Sequence, residues 1–101
     1  MYLVELLIPA YDNDGRKFDP NLFAAVRFEL TDLFGGLTVF SRAPAEGLWS
    51  SDGELRKDDI VVFQVMARSV DRSWWRDYRK KLEARFRQNL IVVRAQPIEI
   101  L

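Results

Sequence analysis

The sequence predicts an α+β fold in which two helices cover one face of a four-stranded antiparallel sheet. Three observations lead there. Strand-like and helix-like segments follow one another in the order β-α-β-(hairpin)-β-α-β. Each helical segment has its own start signal and an apolar stripe at helical spacing. The chain, at 101 residues and 49% hydrophobic, suits one domain with a single core.

The first segment, YLVELLI at 2–8, is apolar on both faces apart from Glu5 and is closed by Pro9. Such a run belongs in the middle of a sheet. AYDNDGRKFD follows and is a loop by its Asn, Asp and Gly content. Asp19-Pro20 then supplies an N-cap with proline at the first helical position, and Gly35-Gly36 supplies a stop. Between them Leu22, Phe23, Val26, Leu30, Leu33 and Phe34 fall on one stripe.

LTVFSR at 37–42 is the second strand and PAEG its exit turn. Residues 47–57 form a small predicted hairpin, because Asp52-Gly53 suits a two-residue primed turn. DIVVFQVMARSV at 59–70 is the longest strand. It sets Val61, Phe63, Val65 and Ala67 on one face and Ile60, Val62, Gln64 and Met66 on the other. The second helix starts at an Asp71 cap and runs to about Gln88, with Trp75, Tyr78, Leu82 and Phe86 inward. LIVVRA at 90–95 is the last strand, and Pro97 marks its end or an edge position. This order is that of the ferredoxin-like βαββαβ sandwich, a single domain over 1–101 whose first and third long strands are central.

In such a fold one sheet face lacks a helical cover. Leu3, Leu7, Val62, Met66 and Val92, with Phe40 beside them, are expected there. An apolar patch of that extent marks an interface or a groove. A homo-oligomer, with a dimer favoured, is therefore the expected partner state. Glu5, Gln64 and Arg94 interrupt the patch, and Glu5 and Arg94 are neighbours if the first and last strands pair. They read either as an ion pair at the rim of a dimer interface or as the floor of a ligand cavity between stacked sheets. Tyr11 and Asp12, just beyond the first strand, join Glu5, Gln64 and Arg94 as candidate ligand-binding residues. Trp49, the anchor of the hairpin, and Phe28, which projects opposite Val26 and Leu30, complete the candidate interface residues.

Chemistry is thinly represented. With no histidine and no cysteine, the commonest general acid-base, imidazole triads, thiolate nucleophiles and disulfides are all missing. No catalytic residue and no cofactor is expected. YDNDG resembles the start of a calcium loop, but its twelfth position is Phe23 instead of a bidentate Glu, so no metal site is expected. Seven basic and three acidic residues lie in 71–88, against three and six in 1–35. The basic residues flank the stripe of the second helix, and Glu83 stands four residues from Arg79 and Arg87. This is the pattern of a solvated, internally paired face, which makes nucleic acid an unfavoured partner. Apolar runs are too short to span a bilayer. Met1 is followed directly by a strand-like run with no basic leader, so the expected compartment is the cytoplasm.

Gly47, Leu48, Trp49, Gly53, Asp58, Asp59, Met66, Trp74, Trp75, Tyr78, Phe86, Gln88, Arg94 and Pro97 together resemble the pattern of a small uncharacterised bacterial family of unknown function, over about residues 34–101. That resemblance implies no catalytic residue. The layout is also similar to signalling proteins of the PII type, which carry a long loop between the second and third strands. The basic phosphate-binding residues and glycines of that loop have no counterpart in RAPAEGLWSSDGELRK. Two readings of function follow. One is a non-catalytic, self-associating interaction or small-ligand-sensing domain. The other is a small enzyme of the dimeric α+β barrel type with substrate between stacked sheets.

Overall fold

The structure, a computed structural model, describes residues 1–42 and 59–101. Its elements are β1 (Tyr2–Pro9), α1 (Pro20–Phe34), β2 (Thr38–Arg42), β3 (Ile60–Ala67), α2 (Arg72–Arg85) and β4 (Val92–Pro97). The four strands form one antiparallel sheet in the order β2-β3-β1-β4. The predicted hairpin at 47–57, and Trp49 with it, lies outside the described residues.

Strand alternation sorts the sheet into two faces. Val4, Leu6 and Ile8 of β1 and Phe63 and Val65 of β3 share one buried cluster with Val26 and Leu30 of α1 and with Trp75, Tyr78 and Leu82 of α2. Both helices therefore pack on the same side. Aromatic rings fill the space between them. Phe34 of α1 stacks on Trp75 of α2 with ring centroids 5.3 Å apart and meets Trp74 edge-on at 5.8 Å. Such pairs add about 0.5–1.5 kcal/mol beyond the area they bury.

The helix starts follow from local chemistry. The Asp19 carboxylate accepts from Asn21 N at 2.9 Å, and the Asp71 carboxylate accepts from Trp74 N at 3.1 Å. Each cap satisfies a backbone donor that has no partner inside its helix. Gly35 ends α1 at φ 76°, a conformation that glycine adopts without a steric penalty.

Four details depart from expectation. α2 stops at Arg85 and does not reach Gln88. Arg87 turns to φ 53° and donates to Ala84 O at 3.3 Å, while Gln88 N donates to Glu83 O at 2.9 Å. These two bonds make a Schellman ending. It was hidden because arginine, and not glycine, occupies the left-handed position. Arg87 is thereby removed from the helical spacing that would have paired it with Glu83. β3 ends at Ala67, three residues early, because Val70 turns in to pack against the core ahead of the Asp71 cap.

β4 is displaced from 90–95 to Val92–Pro97. Leu90 is exposed, and Ile91 N donates to the Glu83 carboxylate at 2.9 Å instead of to a strand. Finally, Leu33 is 55% exposed. It stands on the margin of the α1 stripe, and in the last turn Phe34 takes the inward place against Trp75.

Candidate interface on the open sheet face

The strand register lays the side chains of the open face in rows. Phe40, Val62, Leu7 and Val92 form one row across all four strands, and Met66, Leu3 and Gln96 form another across three. Between them runs a polar row of Thr38, Gln64, Glu5 and Arg94. Phe40 is 41% exposed, Met66 55% and Val92 44%, while Leu3 and Leu7 are half-buried. Val62 is buried yet stands outside the core cluster under the helices.

The polar row is bonded sideways. Gln64 Nε2 donates to Glu5 Oε2 at 2.7 Å, and Arg94 Nε donates to Glu5 Oε1 at 3.0 Å. The Glu5 side chain is 14% exposed and that of Arg94 53%. Each oxygen of the carboxylate thus has a donor in the plane of the sheet. The arginine still reaches solvent.

Tyr11 and Asp12 are not brought to this row. Asp12 Oδ1 accepts from Asp14 N at 2.9 Å and Arg16 N at 2.8 Å, so the carboxylate closes its own loop, with Gly15 at φ 79°. Tyr11 bridges to Lys17 and lines a cavity of about 460 Å³ with Phe18, Phe23 and Phe63, on the helix side of the sheet. The candidate set therefore divides into a sheet-face group of Glu5, Gln64 and Arg94 and a loop group of Tyr11 and Asp12. Phe28 is 73% exposed on the outer side of α1.

One cluster escaped the sequence reading. Glu29 of α1 receives two bonds from Arg85, Nη1 to Oε1 and Nη2 to Oε2, both 2.8 Å, and a third from the Tyr78 hydroxyl at 2.8 Å to Oε1. The Arg85 guanidinium holds the Glu29 carboxyl below its ordinary value, against an opposing push from burial. Burial, then the bond to Glu29, raises the Tyr78 phenol well above its ordinary range. The bond to Glu29 likewise raises Arg85. A phenol so protected is a fixed donor and no base. Arg85, expected on a solvated flank, has a side chain only 19% exposed. The only sequence signal for this cluster is a glutamate bordering the stripe of α1.

The chain matches no protein-family description, no curated protein and no solved structure.

Proposed function

We propose that the chain is a ferredoxin-like interaction domain that self-associates through its open sheet face, two copies stacking sheet against sheet. The strand order and the shared face of both helices support the ferredoxin-like assignment. The observation that carries the proposal is the apolar row of Phe40, Val62, Leu7 and Val92 across all four strands, with Met66 and Leu3 on the other side of Glu5. Covering each half-exposed apolar side chain is worth on the order of 1 kcal/mol before the cost of association. The polar row gives the interface its register, because Arg94 retains donors beyond Nε and an offset stack would bury them unpaired.

Native mass spectrometry on protein purified without denaturation tests the reading. An even-numbered oligomer is expected, and Met66→Glu, at an exposed position, is expected to release monomers while the circular dichroism spectrum stays unchanged. A clean monomer of the unaltered chain at micromolar concentration would overturn it. The shielded Glu5 carboxylate amid hydrocarbon favours a second reading, a ligand or substrate cavity between the stacked sheets. Extra bound mass on the oligomer, lost in Glu5→Gln, would select that reading.

A further inference from the structure

The edge of the sheet beside α2 carries a second surface, which adjoins the open face at Arg94. Ile98 N donates to Met1 O at 2.9 Å, which sets the hydrogen-bonded pairs of β1 and β4 at Met1/Ile98, Leu3/Gln96, Glu5/Arg94 and Leu7/Val92. The peptide groups of Val93 and Ala95 consequently point away from β1, to the free edge. Pro97 falls in the same phase, so its missing N–H is on the free side, where proline costs the ladder nothing. Among the described residues no strand pairs with this edge.

Val93 and Ala95 form one wall of a cleft of about 220 Å³, with Val4, Val70 and Trp75 also lining it. Its other wall is α2, which contributes Arg72, Arg76 and Arg79. Their spacing of four and then three residues puts all three on one side of the helix. No carboxylate is among the described residues that line the cleft. Arg79 Nε is buried with no hydrogen-bond partner, its nearest approach being 3.9 Å to Glu83 Oε2. That oxygen already accepts from Ile91 N.

We infer that this cleft binds an extended acidic segment of a partner protein, which adds to β4 as a further strand. The free N–H and C=O groups of Val93 and Ala95 supply the backbone pairing. Every second side chain of the segment faces α2, the apolar ones among these entering the lining and the acidic ones meeting the arginines across the cleft. The volume is below the roughly 300–1,000 Å³ of small-molecule sites and matches side chains entering from a strand. A second copy of this chain is disfavoured as the occupant, since β4 against β4 would set two arginine stripes together.

The test uses a fluorescein-labelled heptapeptide whose odd positions, which share one face of a strand, are by turns glutamate and valine with threonine between them, its counterpart with lysine for glutamate, and a version N-methylated at alternate amides. Anisotropy should show saturable binding of the acidic peptide alone, weakened by salt and by about tenfold or more in Arg76→Glu, an exposed substitution. Backbone amide exchange should show protection appearing at Val93 and Ala95 on binding, with Val92 and Arg94 protected throughout. Absence of binding, equal binding of the lysine or N-methylated peptides, indifference to Arg76→Glu, or edge-to-edge dimers without peptide would each overturn the inference.

Discussion

Two glutamates in this molecule are held by an arginine and one neutral donor, yet they sit in opposite kinds of surroundings. Glu29 lies between helices, gripped by both ends of the Arg85 fork and by Tyr78. Glu5 lies on the sheet face that neither α1 nor α2 covers, bonded by Arg94 through Nε and by Gln64. The partners of Glu29 come from a helix that nothing else in the backbone ties to α1, so its bonds help fix how the helices meet. The partners of Glu5 stand on adjacent strands whose ladder already fixes them. Its polar row is therefore not needed to assemble the sheet.

The largest consequence of this contrast concerns stability. Glu29→Gln loses the charge that organises three bonds, and a cost of about 2 kcal/mol in urea unfolding is expected. Self-association should be unaffected. Because the Glu29 carboxyl is held below its ordinary value of 4.5, its contribution is complete above that pH and is lost as pH falls through the lower folded-state value. Tyr78 acts at the other end. Its raised phenol contributes below its ordinary value of 10.0, and that part is lost as pH rises above it. Both slopes should flatten in Glu29→Gln, and an unchanged acid limb would assign the acid sensitivity to other carboxylates.

Glu5→Gln should cost less, about 1 kcal/mol, since Gln64 and the solvent-reaching Arg94 can re-form bonds to an amide. Its larger effect is expected on the oligomer or on a retained ligand. A loss as large as that of Glu29→Gln would break the contrast and give both glutamates the same structural task.

The two clusters also differ in how far they could be read from the chain. Glu5, Gln64 and Arg94 follow from strand alternation, because a period of two assigns every residue to a face once the neighbouring strands are known. Glu29, Tyr78 and Arg85 depend on the rotation of one helix against another, a rotation that stripes about 100° wide leave open. Tyr78 was legible as inward but its hydroxyl partner was not. Boundaries failed where the usual signals are missing. Arg87 does at the end of α2 what glycine commonly does, and Ile91 is buried one residue before pairing begins. Asp12 and Tyr11 adjoin the first strand in sequence, but Gly15 folds their loop back so that Asp12 bonds its own turn.

The smallest expected effect separates the open face from the most exposed aromatic ring of the described helices. Phe28 is more exposed than any apolar residue of the sheet face, and by exposure alone it would be the stronger anchor. It stands, however, on the outer side of α1, with Arg27 and Thr31 exposed close by in sequence, and a lone exposed aromatic ring buries little area against a partner. The sheet face offers a row of four apolar side chains and, beyond Glu5, the Met66/Leu3 pair. Phe28→Ser should therefore change stability by no more than about 0.5 kcal/mol and leave the native mass distribution as it was, whereas Met66→Glu shifts it. If Phe28→Ser released monomers and Met66→Glu did not, the contact would run through α1, and the polar row around Glu5 would belong to a face with some other occupant.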